Sequence, residues 1–155
     1  MKSIELLAPA KDLQAAVAAV DYGADALYIG GARFGARHAA GNSAEEIARA
    51  VEYAHQYGVR VHATLNTLLY DGELAEAERQ ARELIAAGVD ALIVADLGAF
   101  TMAEKYAPRC ERHISTQTGI VNFAAAQVCW ELGAKRVVLA REVALSGIQG
   151  MRENT

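Results

Sequence analysis

Short runs of nearly continuous hydrophobic residues recur along the chain, each after a longer stretch whose apolar positions return with helical period. Four segments carry the clearest copies: YGADALYIGG from Tyr22, YGVRVHATLN from Tyr57, AGVDALIVAD from Ala87 and LGAKRVVLAR from Leu132. Glycine stands second in each, an apolar run follows, and the run ends in polar or small residues. Ahead of them lie DLQAAVAAVD, SAEEIARAVEYAHQ, ELAEAERQARELIAA and FAAAQVCWE. Glycine directly after an amphipathic helix suits the left-handed conformation that ends helices. Runs such as ALYI, ALIV and RVVL suit strands covered by helices on both faces, as parallel strands are.

The copies begin at residues 22, 57, 87 and 132, intervals of 35, 30 and 45. The longest interval has room for a further strand, RHIST, after the helix AFTMAEKYA, and IELLA supplies one at the front. The pattern predicts β1 4–8, α1 12–21, β2 26–30, α2 43–57, β3 59–65, α3 72–86, β4 91–95, α4 98–106, β5 112–116, α5 121–131, β6 136–140 and α6 from about 143. Asn42 or Ser43, Asp71 and Asn122 stand where helix N-caps are needed.

Strict strand–helix alternation with short connections implies a parallel sheet with right-handed crossovers. An open dinucleotide-binding sheet would want G-x-G-x-x-G after β1, and LAPAKDL has no glycine there. Near-interchangeable repeats favour a barrel instead, although six strands are visible where a closed barrel has eight. The expected fold is therefore α/β, a (βα) TIM-barrel-like domain with about six of eight units, forming one partial domain over residues 1–155.

Composition narrows the function classes. A hydrophobic content of 53% with only two prolines fits a globular, helix-rich chain. The net charge of −4 gives no overall attraction to nucleic acid or to an anionic membrane. No apolar run reaches the roughly 18 residues that span a bilayer, and the opening MKSIELLAPAKD has too short an apolar stretch for a signal peptide. Cys110 and Cys129 form neither a disulfide framework nor a CxxC pair, so a reducing cytoplasm is the expected location.

In a barrel of this kind the ligand site lies at the C-terminal ends of the strands. Those ends read Ala8-Pro9-Ala10, Gly30-Gly31, Asn66, Asp96, Ser115-Thr116-Gln117 and Arg141-Glu142, while Glu5 lies within the predicted β1 and points into the barrel. Any one of them alone is explained as cheaply by a helix cap or a loop hydrogen bond. Their recurrence at strand after strand is the functional signal. The loop GGARFGARHAAGN, with Gly30, Gly31, Arg33, Arg37 and His38, reads either as an anion cradle of backbone N–H groups and guanidinium forks or as a solvated basic loop. His38, His55, His62 and His113 are scattered, so no metal site is predicted. No nucleophile elbow is present either.

Six ordered blocks, ELLAPA, YGADALYIGG, VEYAHQYGVRVHATLN, GVDALIVAD, HISTQT and GAKRVVLARE, resemble the N-terminal part of the collagenase-like peptidases, peptidase family U32. The resemblance implies a (βα)-barrel. For function it implies two readings: a collagenase-like protease, or an oxygen-independent hydroxylation factor acting on tRNA, rRNA or the ubiquinone ring, some members using prephenate. In the hydroxylation factors a cysteine set downstream of these blocks holds an iron–sulfur cluster. Cys110 and Cys129 do not match its positions, so no cofactor is expected within this chain. Lys11 departs from the family, which has glycine after APA.

Positions matching the family at the strand ends are Glu5, Pro9, Gly30, Arg37, Asn66, Asp96, Ser115, Gln117, Arg141 and Glu142. Among them Arg37, Asn66, Ser115, Gln117 and Arg141 are the expected substrate contacts, a set that suits a ligand bearing carboxylate or phosphate. Glu5 and Asp96 are the expected acid/base or orienting groups. The partners expected are a small anionic ligand, nucleic acid by family analogy alone, and a second copy or a C-terminal partner at the free sheet edges; no membrane is expected. A non-catalytic binding or assembly module, completed at those edges, is the alternative function.

Overall fold

The computed structural model describes residues 4–36, 41–106 and 110–153. Four of its helices start where short polar side chains meet free backbone N–H groups. Asp12 accepts from the N–H of Ala15 at 2.8 Å and opens α1 (Leu13–Asp21). Ser43 and Glu46 form a reciprocal capping box at the start of α2 (Ala44–Gln56). A 3-10 turn over Asp71–Glu73 leads into α3 (Leu74–Ala86). Asp96 stands before α4 (Leu97–Tyr106) and accepts from the N–H of Ala99 at 3.0 Å. Asn122 caps α5 (Phe123–Glu131), and α6 spans Leu145–Glu153. The glycine shared by the four copies lies just after a helix each time and takes a positive φ, 91° at Gly23 and 93° at Gly133. That is the left-handed end anticipated from its position.

Between the helices run β1 (Leu7–Ala10), β2 (Ala26–Gly30), β3 (Arg60–Leu65), β4 (Ala91–Val94), β5 (Glu111–Ile114) and β6 (Arg136–Val137). They form one sheet in sequence order, every adjacent pair parallel, with Ala26 opposite Arg60 and His62 opposite Ala91. Alternate residues divide the two faces, as the pleat requires. Leu27, Ile29, Val61, Leu65, Leu92 and Ile114 face the helices and are buried in the core with Ile47, Leu84 and Phe100. The other set, including Tyr28, His62, Thr64 and His113, faces away from the helices.

That second face is concave. In a flat sheet β1 and β6 would lie five strand spacings apart, about 24 Å, beyond the reach of two side chains. Yet Glu5, just ahead of β1, accepts from Arg136 in β6, with Oε2 3.1 Å from Nη2. His62 and His113, two strands apart, meet edge to face with ring centroids 4.8 Å apart. The six parallel strands therefore curl into a partial barrel, as the repeat implies.

Several boundaries differ from the sequence pattern, most of all those of the first and last strands. The first strand starts at Leu7 rather than residue 4, because the backbone of Leu6 is engaged with the loop residue Asp25: its N–H donates to the Asp25 carboxylate at 2.7 Å. The last strand is only two residues long. Among the described residues it has a neighbour on one side alone, although Val138 and Ala140 still donate to Ile114 and Ile120 at 2.9 Å each.

Candidate functional site

At the C-terminal ends of the strands the concave face holds a hollow of about 440 Å³. Its apolar surface comes from Leu7, Pro9, Tyr28, Ile93 and Val138, and its polar surface from Thr64, Asn66, Ser115, Thr116 and Gln117. Lys11 and Arg141 bring two cations to it, one after β1 and one after β6. A concave, largely apolar site with a few converging polar groups has the makeup of a small-molecule pocket.

The polar groups are held by a connected set of hydrogen bonds. Phe34 has a left-handed φ of 57°, and its carbonyl accepts from the N–H groups of Asn66 at 2.8 Å and Thr67 at 3.2 Å. The side chain of Asn66 then accepts from the N–H of Ala36 at 2.9 Å and donates to the hydroxyl of Ser115 at 3.2 Å. Ser115 Oγ also accepts from the N–H of Gln117 at 3.2 Å. The ends of β3 and β5 and the loop after β2 thus become one unit. Buried Asn42 adds a further tie, donating to the carbonyls of Lys11 at 3.0 Å and Gly30 at 2.9 Å. Among the described residues the guanidinium of Arg141 has no hydrogen-bond or ion-pair partner, and the side chain is exposed at the hollow.

Of the residues singled out by sequence, the hollow brings together Pro9, Gly30, Asn66, Ser115, Gln117 and Arg141. Arg37 and His38 lie outside the described residues. Others have different surroundings. Glu5 sits at the opposite, N-terminal end of the strands, where its bond to Arg136 holds its carboxyl below the usual carboxylate range. Asp96 caps α4. Arg33 turns to α3, pairing with Glu76, while its backbone N–H donates to Gln80 at 3.0 Å. Gly31 is pressed against the same helix, since a Cβ there would lie 2.8 Å from Gln80 Nε2. The anion loop is thus divided, Gly30 towards the hollow and Gly31 and Arg33 towards α3. Sequence reasoning missed Lys11, Tyr28, Thr64 and Ile93. Tyr28 and Thr64 alternate with core-facing neighbours, so the period of two marks them once the core face is known.

Below the hollow lies a second polar group of residues. Arg60 pairs with Glu111 at 2.8 Å, and Glu111 meets His113 Nε2 at 2.8 Å. Burial alone would raise the Glu111 carboxyl, but hydrogen bonds from Arg60 and His113 hold it down. Burial lowers His113, and it takes His62 down to about 4. Both histidines are neutral at pH 7.

The cysteines do not fit an iron–sulfur cluster. Cys110 precedes β5, Cys129 lies within α5, and both are buried. Burial pushes the Cys110 thiol up to about 11 and raises Cys129 as well; a cluster takes a set of four ligands, and the sequence offers two cysteines. Among the described residues no three His, Cys, Asp or Glu are grouped to hold a metal ion, and no helix is long and apolar enough to cross a membrane.

Comparison with known proteins adds independent information. The model of peptidase family U32 matches residues 11–155. A 23S rRNA 5-hydroxycytidine C2501 synthase of Escherichia coli (strain K12) is 45% identical over 152 residues, covering 98% of this chain and 23% of the relative. The tRNA hydroxylation protein P1 of Bacillus subtilis (strain 168) is 41% identical over 153 residues, covering 98% of this chain and 36% of the relative. The chain thus spans well under half the length of either. Among solved structures, that of the U32 peptidase Mk0906 superposes over 100% of this chain and 68% of its own, with a TM-score of 0.75 at 16% identity. That likeness speaks for the fold alone.

Proposed function

The chain belongs to peptidase family U32, and on that premise we propose that it is the ligand-binding barrel portion of an RNA-hydroxylating protein, whose hollow holds a small anionic ligand. The observation that carries the reading is the hollow itself: Arg141, unpaired among the described residues, beside Asn66, Ser115 and Gln117, over an apolar surface large enough for a small molecule. An exposed guanidinium supplies charge-assisted hydrogen bonds to a carboxylate or phosphate. The RNA part of the reading is supported by two relatives that are 45% and 41% identical and named for RNA hydroxylation. A cytoplasmic location belongs to the same proposal.

The family's peptidase label is the weaker reading. A serine or cysteine peptidase needs a nucleophile activated by an adjacent base. Ser115 Oγ accepts from two amide N–H groups, and burial holds both thiols protonated at neutral pH.

Nucleoside mass spectrometry on RNA from cells with and without the gene tests the proposal. A hydroxylated nucleoside should disappear on deletion, return with the wild-type gene and fail to return fully with Arg141→Ala. An unchanged nucleoside profile would sink it, and cleavage of gelatin by purified protein would restore the peptidase reading. Among the described residues β1 and β6 stand at the two edges of the sheet, where a strand has a backbone neighbour on one side only, and a second copy or a C-terminal partner covers those edges. Light scattering on the isolated chain should therefore detect self-association; a strictly monomeric species argues against a second copy.

A further inference from the structure

The hydrogen-bond inventory of one corner of the hollow determines which ligand group it can accept. Ser115 is 2% exposed and lines the hollow beside Asn66. A serine hydroxyl has two acceptor lone pairs and one donor hydrogen. Both lone pairs of Ser115 are engaged, one by Asn66 Nδ2 at 3.2 Å and the other by the N–H of Gln117 at 3.2 Å. The orientation of the Asn66 amide is not free, because the N–H of Ala36 donates to its Oδ1 at 2.9 Å and requires an oxygen there. Nδ2 must therefore face Ser115. What remains is the Ser115 hydroxyl hydrogen, with no acceptor among the described residues, and the second hydrogen on Asn66 Nδ2.

We infer that Ser115 and Asn66 form an obligate donor pair that reads an oxyanion, a carboxylate or phosphoryl oxygen, on the ligand of the hollow. The inference rests on the reading of the hollow as a ligand site and adds the polarity of its recognition. Arg141 and Lys11 can likewise only donate. Thr64 and Gln117 can take either sense and so decide nothing. A ligand that brings a donor to this corner sets hydrogen against hydrogen. It gains nothing unless the whole chain from Ala36 to Gln117 reverses, which the two backbone N–H groups at its ends forbid.

Three probes of one shape test the inference: benzoate, phenyl phosphate and benzylamine, whose ring suits the apolar surface of Tyr28, Ile93 and Val138. Binding is followed by backbone-amide NMR of the full chain. Benzoate or phenyl phosphate should shift the amides of residues 66 and 115–117, and benzylamine should not; the stronger of the two acids tells carboxylate from phosphate as the preferred group. Ser115→Ala should weaken the acids about 10- to 100-fold, as loss of a hydrogen bond to a charged group does. Ser115→Thr, which keeps the hydroxyl, should restore binding and exclude misfolding as the cause. Asn66→Asp, which keeps the oxygen facing Ala36 but replaces the donor, should lose the acids and gain benzylamine. Acids that bind wild type and Ser115→Ala equally would overturn the inference and leave the hollow standing as a ligand site, and so would benzylamine binding as tightly as benzoate. If no acid shifts any residue of the hollow, both the site and the inference fall.

Discussion

His62 stands inside the curled sheet with both ring nitrogens unpartnered among the described residues. Glu5, Arg60, His113 and Arg136 lie close enough to act on its charge. Burial dominates and brings its pKa down to about 4, so the folded chain refuses a proton that the unfolded chain takes near the ordinary value of about 6.5. At neutral pH and above, both states are largely unprotonated and the titration of the residue takes little from stability. As pH falls from about 6.5 to about 4, stability declines, by about 3 kcal/mol once the full difference is reached. His113 acts in the same direction. Urea unfolding at a series of pH values should show His62→Phe losing part of this acid sensitivity; identical pH slopes in both proteins would refute the assignment.

A second residue-scale prediction concerns Gly133. Alanine there meets a left-handed φ of 93° and also places a Cβ 2.6 Å from Arg112 Nη2. That guanidinium donates to the carbonyls of Phe100 at 3.1 Å and Leu132 at 3.3 Å, so it cannot withdraw freely. Gly23, at a φ of 91°, has nothing within 4 Å of the same position. Gly23→Ala should cost about 1 kcal/mol from the backbone alone, and Gly133→Ala clearly more. Equal losses in thermal unfolding would deny Arg112 this part in the packing.

At the scale of the element, the caps explain why helix starts were readable. Ser43 and Glu46 satisfy each other's backbone N–H groups at 3.2 and 2.8 Å, an interaction encoded by two residues three apart. Ser43→Ala should cost about 1 kcal/mol, seen as a lower urea midpoint and faster amide exchange in the first turn of α2. An unchanged midpoint would mean that packing alone positions the helix. Strand ends were less readable. Where β1 begins depends on the contact of Leu6 with Asp25 from another loop, and no periodicity in residues 4–8 carries that information. The same limit applies to Asp96, whose type suits a cap and a general base equally, until its bond to Ala99 shows the cap.

At the scale of the whole molecule, Glu5 and Arg136 join the two ends of the sheet across 131 positions of chain. Removing one partner leaves the other charged and partly buried, which is worse than removing both. Arg136→Met should therefore destabilise by roughly 1–3 kcal/mol, and Glu5→Gln with Arg136→Met should recover part of the loss. Additive losses in a double-mutant cycle would show that the pair does not couple the edges.

Sequence alone determined the order of strands and helices, the parallel sheet and the end of that sheet at which the polar strand ends gather. These follow from local periodicity, from glycines placed after helices and from the handedness of crossovers, all written in neighbouring residues. Membership of Asn66, Ser115, Gln117 and Arg141 in one hollow was anticipated because every strand end is polar in turn. Only the tertiary structure separated Glu5 from that hollow, turned Arg33 towards α3, admitted Lys11 and Thr64, and joined Ala36, Asn66, Ser115 and Gln117 in one directed run of hydrogen bonds. The curl of the sheet brings distant strands to a common interior, and the distances and donor directions that result depend on all the strands together.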